Sequence, residues 1–141
     1  MIGALIVKRT LTHTFESLNR RDMAQFLAVW SADGEFIYPG DIPVSGHFKG
    51  KDRVESWFQG FLDQFPEIHF TVRDVCVRNI YDLVGNNVAA VHWDVQLKNK
   101  AGYEGQNRGI TLVTIRGGKA VCVEDFLFDL GDIFHRLWGA A

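Results

Sequence analysis

The sequence predicts an α+β domain, and two observations carry that prediction. Apolar residues in the first third of the chain recur at helical spacing. From residue 68 onward the pattern changes to runs of Val, Ile, Thr and aromatic residues separated by Gly and Asn clusters. Helices followed by strands place the helices on one face of an antiparallel sheet. At 141 residues the chain is expected to form one domain over 1–141.

Val7, Leu11, Phe15 and Leu18 form the apolar stripe of a first helix. Residues 19–22 are a polar break, after which Met23, Phe26, Leu27 and Trp30 repeat the stripe, with Asp22 placed to cap the second helix. Asp33-Gly34 is expected to end that helix, and residues 35–38 read as a short strand before a turn-rich stretch holding Pro39, Gly40, Pro43 and Gly46. A third helix is predicted with Asp52 as cap, Val54, Trp57, Phe58, Phe61, Leu62 and Phe65 on one face, and Pro66 as its stop. Residues 68–81, 88–98, 106–116 and 120–128 then read as a meander of long antiparallel strands.

Composition narrows the function. With 47% hydrophobic and 23% charged residues the chain is unlike disordered sequences and buries a core. A net charge of -2 argues against nucleic acid, whose binders gather phosphate-contacting cations. The start of the chain has no basic residue ahead of its apolar run, and no run approaches the roughly 18 apolar residues of a membrane span, so a cytoplasmic location and no membrane partner are expected. Cys76 and Cys122 stand too far apart in sequence for a Cys-x-x-Cys motif and read as inert thiols, and no metal site is expected. Eleven Phe and four Trp exceed what an average core of this size uses, which raises the question of a pocket.

The helical break Leu18-Asn19-Arg20-Arg21-Asp22, the segment Gly34-Glu35-Phe36-Ile37-Tyr38-Pro39, and Gly46-His47-Phe48-Lys49-Gly50 ahead of an aromatic third helix resemble the nuclear transport factor 2-like superfamily, and within it the SnoaL-like group. The resemblance covers nearly the whole chain and implies a cone: a curved antiparallel sheet wrapped around three N-terminal helices, with an apolar pocket at the wide end. That superfamily holds isomerases, hydrolases, cyclases and non-catalytic binding modules, so fold alone does not choose among them. Against the ketosteroid isomerase pattern, the positions of its three acidic or phenolic groups fall on Thr14, Tyr38 and Thr111. All three differ from that pattern, and a phenol with an unperturbed pKa near 10 does not replace a carboxylate base. Limonene epoxide hydrolase is similar in more places, through Tyr38 with Asp41, His92-Trp93-Asp94, and Asp125-Phe126, with His92 where that pattern has Arg.

Asp125 is the most informative residue. Its parity mates Val121, Val123 and Leu127 are apolar, so its carboxyl is expected in a low-dielectric place that raises its pKa toward the range of acid–base work; an outward turn at a bulge is the alternative. His92 and Asp94 either line the pocket as its partners, the imidazolium holding the two carboxyls in opposite protonation states, or form the solvated face of a strand with Gln96. Tyr38, Asp41, Trp30 and Arg108 are the candidate substrate contacts, Arg108 being equally a rim residue. His13, His47, His69 and His135 lack metal-ligand spacing, and Glu124 and Asp129 read as solvent-facing. Apolar residues on both faces of the last strand, with Cys122, Phe126 and Phe128 opposite Val121, Val123 and Leu127, call for a bulge or for a homodimer covering the outer face of the sheet.

These residues point to a pocket protein for a small apolar or aromatic ligand. The expectation is a cofactor-independent acid–base enzyme, a hydrolase, isomerase or cyclase, with catalytic Asp125, Asp94 and His92. The alternative is a non-catalytic ligand-binding or protein-interaction module of the same fold.

Overall fold

A computed structural model describes residues 2–140. The helices α1 (Ile2–Asn19) and α2 (Met23–Leu27) come first, then the strands β1 (Trp30–Tyr38) and β2 (Gly46–Lys49), then the helix α3 (Lys51–Gln64). Four long strands follow, β3 (Glu67–Val77), β4 (Asn87–Lys98), β5 (Glu104–Arg116) and β6 (Lys119–Leu127), and then a short helix α4 (Asp132–Leu137). The six strands form one curved sheet in the order β2-β1-β6-β5-β4-β3, with β1 and β6 parallel and every other pair antiparallel. The sheet is not closed: β2 and β3 are its edges. Register shifts between Val72 and Asp74, Thr114 and Ile115, and Trp30 and Glu35 are bulges that bend it around the helices.

The helices bury the faces their spacing predicts: Leu11, Phe15 and Leu18 from α1, Phe26 and Leu27 from α2, and Val54, Trp57, Phe58, Phe61 and Leu62 from α3. Asp22 caps α2, accepting from the Gln25 N–H at 3.1 Å. Arg21, in the left-handed region at φ 60°, sends its guanidinium to the carbonyls of Leu62 and Phe65 and so satisfies the open C-terminus of α3. Asn19 pairs with both the N–H and the carbonyl of Phe70, which pins α1 across β3.

Four expectations need correction. The second helix stops at Leu27, and Trp30 opens β1, because one helical turn followed by a strand also turns Phe26, Leu27 and Trp30 inward. Asp33-Gly34 ends no helix; it lies in the bulge of β1, where a Cβ on Gly34 would come within 3.1 Å of the Trp30 ring. The N-cap of α3 is Gly50, while Asp52 sits in the first turn, where a carboxylate suits the helix dipole. The third strand ends at Val77, and residues 78–81 belong to the following connection. The elements β2 and α4 lie in stretches whose patterning predicts neither, and α4 proves important because Phe134 and Leu137 are among the most buried side chains. Among the described residues no helix is long and apolar enough to cross a membrane.

Candidate functional site

Between the concave face of the sheet and the helices lies a cavity of about 80 Å³. All four tryptophans line it, with seven of the eleven phenylalanines and Tyr38. The strands supply this lining by parity: Trp93 and Val95 of β4, Thr111 and Val113 of β5, and Val123, Asp125 and Leu127 of β6 share the inner face. From the C-terminus, Phe134, Leu137 and Trp138 reach the same space. The helix carrying them is tied down by Asn99 and Gln64, which donate to the Leu137 carbonyl at 3.0 and 2.9 Å.

Asp125 is the one carboxylate in this lining and is half-buried. Its Oδ1 accepts the Thr111 hydroxyl at 2.6 Å, and that hydroxyl accepts the Trp93 indole N–H at 2.8 Å. An indole N–H only donates, so the hydroxyl proton of Thr111 goes to Asp125. Oδ1 is thereby held as an acceptor. Oδ2 makes no hydrogen bond among the described residues and keeps some exposure, and any acid proton of Asp125 resides there. Desolvation pushes the carboxyl up to about 7, with the Thr111 hydrogen bond pulling the other way.

Gly109 makes the relay possible. A Cβ at that position would stand 2.7 Å from the Trp93 ring, so only glycine lets the indole lie across β5 with its N–H at Thr111. Tyr38 is held in a comparable way: the Trp138 indole donates to its hydroxyl at 3.0 Å, which leaves the phenolic proton for another acceptor. Burial pushes the Tyr38 phenol well up, and the nearby charge of Asp125 adds to this, so the phenol stays a neutral donor.

Other sequence-predicted site residues lie elsewhere. His92 and Asp94 stand on the outer face of β4, where His92 Nδ1 is 3.1 Å from Asp74 and Arg73 Nε donates to Asp94 at 2.7 Å. Strand parity explains the correction, since Trp93 takes the inward position between them. Arg108 is also outside, over the Phe128 ring at 5.4 Å. Asp41 is exposed and meets His135 Nε2 at 3.1 Å, across the start of α4. Trp30 and Tyr38 do line the cavity. Glu124 is on the outer face opposite Leu112, and Asp129 is exposed. Sequence reasoning missed Thr111 as a partner of Asp125, Asn107 in the lining, and Trp138. For Thr111 a signal existed, since it shares its strand parity with the apolar Val113 and Ile115. Among the described residues no three His, Cys, Asp or Glu side chains converge as a metal site would require.

Comparison with known proteins agrees with this architecture. The SnoaL-like domain family matches residues 11–123. An NTF2-like protein of unknown function from Burkholderia pseudomallei superposes with a TM-score of 0.77 at 20% identity, covering 97% of this chain and 98% of that one. Bal32a, from a soil-derived mobile gene cassette, superposes at 0.83 with 12% identity over 96% and 98%. A protein of ketosteroid isomerase-like fold from Catenulispora acidiphila, in complex with trimethylamine, superposes at 0.72 with 13% identity over 94% and 93%. No curated protein matches.

Proposed function

The chain belongs to the SnoaL-like domain family, and from that footing we propose that it is a proton-transfer enzyme acting on a small, largely apolar molecule held in the aromatic cavity. The observation that supports this most is Asp125, an acid inside an apolar cavity with one oxygen fixed by Thr111 and the other open. A carboxyl that titrates at about 7 is populated in both forms at neutral pH, so it can take a proton from one atom of a substrate and return it to another. Tyr38 would donate its phenolic proton to a substrate oxygen, and the preset Trp138 contact spares the phenol from reorienting during reaction.

Isomerisation or cyclisation needs only such a shuttle. Epoxide opening of the limonene type, with a bridging cation between two carboxyls, finds no support because His92 and Asp94 lie on the other side of the sheet. The fold relative that holds trimethylamine supports a ligand of small size, in keeping with a cavity well below the roughly 300–1,000 Å³ of drug-sized sites. Replacing Asp125→Asn tests the reading on any substrate found by screening: turnover should fall at least a hundredfold with the fold intact, whereas an undiminished rate would remove Asp125 from the mechanism.

The outer face of the sheet bears on assembly. Leu112, Phe126 and Phe128 are exposed there, and a second copy of the chain is the proposed cover for these apolar side chains. A dimeric mass in solution at micromolar concentration is expected, and a monomeric one would contradict it.

A further inference from the structure

The charges in and around the cavity specify its ligand more narrowly. No Lys, Arg or His lines it among the described residues, and its two titratable groups are Asp125 and the neutral phenol of Tyr38. A carboxylate placed in such surroundings without a cation is an unpaired charge partly withdrawn from water, which proteins avoid by pairing or by neutralising the group. The surrounding walls are of the kind that receives cations, for aromatic rings attract positive charge to their faces and cages of them are a recurrent way to bind alkylammonium groups. Trp30, Trp57, Trp93 and Trp138 all contribute, together with Phe36 and Phe70. An anionic ligand would find no partner here, and a neutral one would leave Oδ2 with a hydrogen bond at most.

We propose that the ligand of this cavity is a small organic ammonium ion, its charge paired with Asp125 Oδ2 and its alkyl groups set against the tryptophan and phenylalanine walls. The proposal rests on the same placement of Asp125 as the reading above and names the class of molecule that completes it. Asp125 then binds in its ionised form, as the counter-ion of the ammonium group.

Two near-isosteric molecules make the test, tert-butylammonium and the neutral tert-butanol, titrated into the full chain with tryptophan fluorescence and calorimetry as readouts. At pH 8 the cation should bind at least tenfold more tightly than the alcohol. Because the carboxyl of the free protein titrates at about 7, the affinity for the cation should rise roughly tenfold from pH 6 to pH 8, while that for the alcohol stays level. Asp125→Asn should abolish the difference between the two molecules and keep the alcohol's affinity. Equal binding of both, or a cation affinity indifferent to pH and to Asp125→Asn, would overturn the proposal. Its failure is separable from that of the enzymatic reading: Asp125→Asn that loses turnover of a neutral substrate in a protein blind to the cation refutes only the ligand class. Cation binding with turnover unaffected by Asp125→Asn refutes only the enzymatic role.

Discussion

Thr111 donates its hydroxyl proton to Asp125 Oδ1 over 2.6 Å, and this bond determines which carboxyl oxygen is left to exchange a proton. The bond exists in this direction because the Trp93 indole occupies the acceptor side of the same hydroxyl. Thr111→Val keeps the shape and removes both hydrogen bonds. The indole N–H then loses its partner in a buried place, so stability should fall by about 1–3 kcal/mol. With the one lowering influence gone, the Asp125 carboxyl should titrate above 7. Thr111→Ser should restore both quantities, as denaturant unfolding and a pH titration would show.

Gly109 offers a test of the packing behind that relay. A Cβ there collides with the Trp93 ring at 2.7 Å and with the Phe126 carbonyl at 2.6 Å, so Gly109→Ala must displace one or the other. Overpacking of this kind costs about 1–3 kcal/mol. Where Trp93 is the group that moves, its indole leaves Thr111 and the variant should also shift tryptophan fluorescence, while the Thr111 hydroxyl keeps donating to Asp125.

The raised carboxyl makes stability depend on pH in a definite direction. Between about 4, where a free Asp titrates, and about 7 the folded chain holds a proton on Asp125 that the unfolded chain has released. Stability should therefore fall as pH rises through that window, by up to about 1.4 kcal/mol per pH unit from this group, and level off above it. Asp125→Asn carries no titratable group and should lack this component, which thermal unfolding of the two proteins side by side would reveal.

His92 and Asp94 provide the opposite control. Each sits on the outer face against a partially exposed partner, Asp74 for His92 and Arg73 for Asp94. Exposed pairs contribute about 0–1 kcal/mol, so His92→Ala and Asp94→Ala should shift unfolding midpoints little and leave turnover and ligand binding within twofold of the parent. A hundredfold loss in either would return these residues to the mechanism.

The same residues mark what the sequence discloses. Parity places Val123, Asp125 and Leu127 on one side of β6, but not Val121, because the register shift against β5 falls there and Ala120 takes the inward position instead. Parity could not decide between the two faces of β4, where His92, Asp94 and Gln96 alternate with Val91, Trp93 and Val95, because motif likeness pulled toward the polar set and burial toward the apolar one; burial prevailed. The end of the chain was opaque for a different reason. Phe134, Leu137 and Trp138 span too little sequence to establish a helical period, and α4 owes its position to distant partners, Gln64 and Asn99, which sequence spacing does not reveal. Trp30 misled because Met23, Phe26, Leu27 and Trp30 fit a helix throughout, while a parallel pairing with Ala120 of β6, more distant still, draws Trp30 into the sheet.

The chemistry of the cavity depends on the state of one carboxyl, which carbon-detected NMR of the side chain follows directly as pH is varied. The Asp125 carboxyl should show its half-point near 7, displaced upward by desolvation within the aromatic lining. A half-point near 4 would mean that Asp125 is solvated like a surface carboxylate, and would contradict its role as the acid–base group of the site.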